Sequence, residues 1–183
     1  MATVCLEVGH GPYRDRNGRR GFEKGAVGPG CTEYDEVVAM SYIVEGRLKQ
    51  KGHEVIVLDP QETLYWIGQS SKGADVMVSL HLNAFNKDVQ GTETLIHRAG
   101  TREDERLARI LQGEIVKALR LRDRGVKRSG LALLGGVPPC VQAACLTESF
   151  FIDSCKSAEE VREKSEAAAR AIANGILLYC KSL

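Results

Sequence analysis

Residues 75–82, DVMVSLHL, are apolar almost without interruption. A strand with one face in water alternates apolar and polar residues, so a run like this predicts a strand covered on both faces. That restricts the chain to folds in which a sheet lies between other layers. TVCLEV at 3–8 reads as a further buried strand, and HEVIVL at 53–58 as another strand. Between them the period changes. Val37, Met40, Val44 and Leu48 recur at helical spacing from Glu33 onward, and Gly52 closes the element. GRRGFEKGAVGPGC, before Glu33, reads as a long Gly-rich loop. A weaker helical stretch runs to Lys72. GTETLIH at 91–97 predicts a fourth strand, at an edge. REDERLARILQGEIVKAL at 102–119 predicts an amphipathic helix. LALLG at 131–135 and VQAACLTESFF at 141–151 predict more strands, and 157–183 a long helix opened by a Ser157–Glu160 capping box. Strands alternating with helices, without repeat or linker, predict one α/β domain over residues 1–183. Its core is a twisted, largely parallel central β-sheet flanked by helices, of the phosphorylase/hydrolase-like kind.

Charge excludes several classes. Lys and Arg number 25 against 24 Asp and Glu, which gives no field for holding nucleic acid or an anionic membrane. The basic clusters RDRNGRR (14–20) and RLRDRGVKR (120–128) are broken by Asp and Gly and read as solvated loop or helix ends. No run has the length of a membrane span, and the start lacks the basic region of a signal peptide. A monomer made and kept in the cytoplasm is expected. The six cysteines show no C-x-x-C pair, so a thiolate zinc site is not expected; Cys5 and Cys145 read as small core residues.

In parallel sheets ligands collect beyond the carboxyl ends of the strands. His10 follows the first strand directly, between Gly9 and Gly11. His81 falls at the end of the third strand, Glu148 at the end of a late one, and Glu33 heads the first helix. Two imidazoles and a carboxylate suit a catalytic zinc with an open position, and a further carboxylate suits its general base. Zinc–nitrogen bonds are short, about 2.0–2.1 Å, so glycines on either side of His10 allow close approach and positive φ. Glu23, Glu33 and Glu36 lie near one another. Glu33 fits best, because Met40, Val44 and Leu48 follow at helical spacing on one face; Glu36 is the alternative, and Glu23 lies in the loop.

Other motifs fall away. His53 starts a strand, the wrong end for this site, and His97 reads as solvated. GQSSKG lacks the nucleophile-elbow spacing, and GPGCTE lacks the Lys-Ser/Thr ending of a phosphate loop. Tyr65 and Trp66, on a short helix, read as core.

Four stretches, taken in order, resemble the zinc-dependent N-acetylmuramoyl-L-alanine amidases of the amidase-3 type, found in bacterial cell-wall enzymes and phage endolysins. VGHGPYRDRNGRRGFEKGAVGPGCTEYDEVV resembles the Gly-His-Gly segment, the Gly-Ala loop and the glutamate opening a helix. ADVMVSLHLNAF resembles the Ser-x-His-x-Asn-Ala strand end. RDRGVKRSGLALL resembles the Arg-Gly-Val-Lys segment and the strand after it, and ACLTESFFID the strand carrying a catalytic glutamate. The resemblance implies one zinc per chain, with His10, Glu33 and His81 as ligands. It implies Glu148 as the base that activates water and then protonates the leaving amine, with Asn83 supporting the site. The implied substrate is peptidoglycan, cut at the amide between N-acetylmuramic acid and L-alanine. Two stretches depart from the family: Glu7 stands where the family has Asp, and LDPQETLYWIGQSSKGAD replaces its Arg-Ala-x-x-Ala-Asn helix. The departures leave room for a zinc hydrolase of the same fold acting on another amide. A non-catalytic wall-binding module would be expected to lose some of the four ionisable groups. A chain with no export signal fits an endolysin released to the wall, or the excised domain of a secreted amidase.

Overall fold

The computed structural model describes residues 1–14, 17–58 and 63–181. In chain order the elements are β1 (Thr3–Val8), β2 (Gly11–Arg14), β3 (Arg20–Glu23), β4 (Val27–Gly28), β5 (Cys31–Thr32), α1 (Glu33–Gln50), β6 (Glu54–Leu58) and α2 (Leu64–Gln69). There follow β7 (Val76–Asn83), β8 (Thr92–His97), α3 (Arg102–Leu119), β9 (Asp123–Ser129), α4 (Ala132–Gly136), β10 (Ala143–Phe151), a 3-10 turn (Ile152–Ser154) and α5 (Ala158–Cys180).

Six strands form the central sheet in the order β6-β1-β7-β10-β8-β9. β6, β1, β7 and β10 run parallel; β8 is antiparallel to β10 and parallel to β9. The sheet is thus largely parallel with a reversed pair at one side. Successive residues of a strand point to opposite faces. Val4, Leu6, Val76, Val78, Leu80 and Cys145 meet the large layer of α1, α3 and α5. Cys5, Met77, Ala144 and Leu146 meet α2 and α4 through Ile67, Leu133 and Leu134. On this second face, toward the carboxyl ends of β1, β7 and β10, the alternation continues as Glu7, Ser79, His81 and Glu148. The apolar cover gives way there to ionisable groups.

Local chemistry explains the elements. Val37, Met40, Val44 and Leu48 are fully buried on one stripe of α1. Thr32 caps that helix by accepting from Asp35 N at 3.3 Å, with acidic residues in the first turn and basic ones in the last. α2 and α4 meet backbone to backbone. A Cβ on Gly68 would lie 2.1 Å from the Leu133 carbonyl oxygen, and one on Gly136 2.1 Å from that of Tyr65.

Several expectations are corrected. LALLG is not a strand: Ala132–Gly136 is the short helix α4, held by burial of Leu133 and Leu134 against α2. The strand is the polar segment before it, β9, which had read as a solvated end. It takes the sheet edge and so needs backbone pairing on one side only. β8 is consequently interior rather than an edge. The Gly-rich segment is not a plain loop: it contributes to two antiparallel ribbons, β2–β3 and β4–β5, the first begun at Gly11 before it. The Ser157–Glu160 capping box is half formed: Ser157 accepts from Glu160 N, but the Glu160 side chain accepts from Lys156 N. A full capping box stands instead at Thr101 and Asp104. Tyr65 and Trp66 are not core; they are 47% and 58% exposed. Residues 59–62 of the departing segment, and 15 and 16 of the first basic cluster, lie outside the described residues. All six cysteines are free, with Cys5 and Cys145 buried as expected.

Candidate metal centre

His10 follows β1 with φ +66°, a left-handed conformation that turns its ring back over the sheet. Gly9 is required by proximity: a Cβ there would lie 2.4 Å from the His81 ring. Gly25 is required likewise, since its Cβ would fall 2.4 Å from His10 Cδ2 and 2.5 Å from Glu33 Oε2. Gly9→Ala is therefore expected to push the His81 ring out of place. Unfolding by denaturant should show a loss of about 1–3 kcal/mol, whereas Gly46→Ala, whose Cβ meets nothing within 4 Å, should show none.

Glu33, the first residue of α1, is buried between the two histidines. Its Oε2 lies 3.0 Å from His10 Nε2 and accepts from Ala26 N at 2.9 Å. Its Oε1 lies 2.9 Å from His81 Nδ1 and accepts from Leu82 N at 2.9 Å. Burial opposes its ionisation, but the hydrogen bonds from His10 and His81 prevail and hold its carboxyl far below the usual range. The His10 and His81 rings meet edge-on at 5.0 Å. Among the described residues, one donor atom each from His10, Glu33 and His81 lie within 4.8 Å of one another. The alternatives stand apart: Glu23 is largely exposed, 3.7 Å from His10 Nδ1, and Glu36 is not one of the clustered donors.

The His81 ring has a second carboxylate neighbour. Glu7 Oε2 is 3.9 Å from its Nε2 and accepts from Ser79 Oγ at 2.5 Å. Burial lowers the His81 pKa, but the Glu33 bond and the charges of Glu7 and Glu148 outweigh it, raising it to about 9. Glu7 itself is pushed up, by burial first. Sequence reasoning assigned it no role; its place two residues before the Gly-His-Gly turn was the available signal.

Glu148 is the register partner of His81 across β7 and β10. Its Oε2 is buried without a hydrogen-bond partner, and burial pushes its carboxyl up to about 7 against the pull of His81. Asn83, at the end of β7, donates to Glu93 Oε1 at 3.4 Å. Glu93 also holds Arg124 and Lys127, a group that sequence reasoning missed. A cleft of about 570 Å³ opens over Glu7, His10 and His81. Pro12 and Tyr13 of β2 form one wall, and Leu64, Tyr65, Leu131 and Leu133 the other.

Comparison with known proteins agrees with this geometry. The family model described as N-acetylmuramoyl-L-alanine amidase matches residues 4–177. YqiI of Bacillus subtilis, whose own function is uncharacterised, is 31% identical, with 97% of this chain and 84% of YqiI covered. N-acetylmuramoyl-L-alanine amidase LytC of Bacillus subtilis is 25% identical over 97% of this chain but only 35% of its own length. The crystal structure of N-acetylmuramoyl-L-alanine amidase from Clostridium difficile 630 superposes with a TM-score of 0.83 at 26% identity, covering 99% of this chain and 97% of that one. Family, sheet and strand-end cluster lead to one conclusion: the chain belongs to the N-acetylmuramoyl-L-alanine amidases.

Proposed function

We propose that one Zn2+, held by His10, Glu33 and His81, and the proton carrier Glu148 perform the reaction of this family on peptidoglycan: hydrolysis of the amide between N-acetylmuramic acid and L-alanine. The observation that carries the reading is the meeting of a three-donor cluster with a buried carboxylate oxygen that has no partner. Two imidazole nitrogens and a carboxylate oxygen are the donor types of catalytic zinc sites, which keep a further position open. When bound there, Zn2+ supplies Lewis acidity that polarises a carbonyl and acidifies water.

The chain's own residues do the rest. Glu33 stays ionised and aims both imidazoles. Glu148 takes the proton of the attacking water and returns it to the alanine nitrogen as the C–N bond breaks. A carboxyl held near neutrality suits both transfers. Asn83 ties the end of β7 to Glu93 and so supports the strand that carries His81. The apolar wall at Leu64, Tyr65, Leu131 and Leu133 shields one side of the cleft from water. The same proposal takes residues 1–183 as one catalytic domain, acting as a monomer and released from the cytoplasm to the wall. No helix among the described residues is long and apolar enough to cross a membrane.

The test is mass spectrometry of purified peptidoglycan incubated with the zinc-loaded protein. Free stem peptides with a new L-alanine amino terminus are expected, lost on chelation and restored by zinc. Intact peptidoglycan with one zinc bound per chain would point to another amide substrate. Intact peptidoglycan with no zinc bound would point to a wall-binding module.

A further inference from the structure

A row of ionisable side chains crosses the sheet beside the metal centre. His81 is in register with Glu148, and Glu148 with Glu93. Residues directly opposite on neighbouring strands share a face, so the three lie side by side. The row ends on β9, where Arg124 Nε and Lys127 Nζ both reach Glu93 Oε2, each at 2.6 Å.

This convergence is built into the backbone. Residues three apart in a regular strand point to opposite faces, and Arg124 and Lys127 would not meet. Between them the pairing slips, with Thr92 opposite Asp123 but Thr94 opposite Val126. The extra residue is accommodated at Gly125, φ +80°, and Asp123 Oδ1 holds the bulge by accepting from Gly125 N at 2.8 Å and from Gln112 Nε2 at 2.6 Å. The bulge turns both cations to one side. Arg124 is further held by the Phe151 ring, 5.0 Å below its guanidinium carbon.

Glu93 does not use up this charge. Two cations share one carboxylate, so the trio keeps a net positive charge. Lys127 commits one of its three donors and Arg124 one of its five. Their side chains are 44% and 27% exposed. The Glu93 salt bridge lies about 5 Å, one strand spacing, beyond Glu148. Extended peptide covers that in one to two residues, at about 3.5 Å each. Glu148 protonates the leaving amine, so the peptide side of the substrate runs this way and the sugar side lies toward the cleft.

We propose that Arg124 and Lys127 form a carboxylate-binding station that selects stem peptides carrying a free carboxylate on the residue after the alanine of the scissile amide. The inference rests on the amidase reading for the direction of the substrate. Two stem tripeptides, in which that residue is joined to the next through its side-chain carboxyl and its α-carboxyl is free in one and amidated in the other, provide the probe. Their binding to the full zinc-loaded chain is measured by calorimetry, and kcat and KM are measured on the matching N-acetylmuramoyl tripeptides. The acid is expected to be favoured about tenfold in both, chiefly through KM. Arg124→Gln with Lys127→Gln should erase the preference, Lys127→Arg should keep most of it, and added salt should shrink it. A merely structural defect would lower both substrates alike and leave the ratio unchanged, which overturns the station. Equal binding of acid and amide, or binding of neither, overturns it too. Hydrolysis without preference sinks the station and leaves the amidase reading intact; a binding preference without hydrolysis does the reverse.

Discussion

Glu148→Gln is expected to lower kcat by about a thousandfold, within the range for loss of a positioned acid–base group, while zinc content stays at one per chain. The separation follows from the geometry. Glu148 is not among the three clustered donors of the proposed zinc site, so the substitution leaves those donors in place. Glutamine fills nearly the same volume but cannot take and return a proton. The variant should also fold at least as well as the parent. Glu148 Oε2 is buried without a partner, and an amide carries no charge to desolvate there. Three measurements decide it: turnover on peptidoglycan, metal analysis, and thermal unfolding without added zinc. Turnover within a few fold of the parent would remove Glu148 from the reaction. Loss of zinc would make it a ligand instead of a proton carrier.

Glu33→Gln is expected to fail in the complementary way, losing the metal and stability together. Its two oxygens accept from Ala26 N and Leu82 N and face both histidines. Glutamine offers one acceptor oxygen, so its amide group must confront a buried N–H. Leaving buried polar partners unmet costs about 2–4 kcal/mol. For a chain of this size that lowers the melting temperature by roughly 5–15 °C. Zinc should raise the melting temperature of the parent by mass action and leave that of the variant where it was. Glu36→Gln, three residues along α1 and outside the donor cluster, should keep both zinc and stability. The reverse pattern would move the ligand to Glu36.

The cluster of His10, Glu33 and His81 is largely legible in the sequence, and the reason is local. Strand ends show as the point where an apolar run breaks, and His10 and His81 stand at two such points. Glu33 was preferred over Glu36 because it shares the helical face of Met40, Val44 and Leu48; that stripe is the buried one, and it places Glu33 2.9 Å from His81. The second half of the neighbourhood was not legible. Asp123–Ser129 has Val126 as its one apolar side chain, yet it is a strand, because an edge strand is held by backbone pairing rather than by an apolar pattern. LALLG has an apolar pattern, yet it is a helix, because β9 had already taken the edge and α2 offered a surface to pack on.

By itself the sequence determined that β1 and β7 are buried strands, where the large helices begin, and which ionisable residues stand at strand ends. Each of these is written in the spacing of side chains along a few residues. Only the tertiary structure decided that β10 lies beside β7, which sets Glu148 against His81, and that β8 and β9 complete the row with Glu93, Arg124 and Lys127. Strand order follows from how whole faces pack and how distant backbones pair, and no local period in the chain records it.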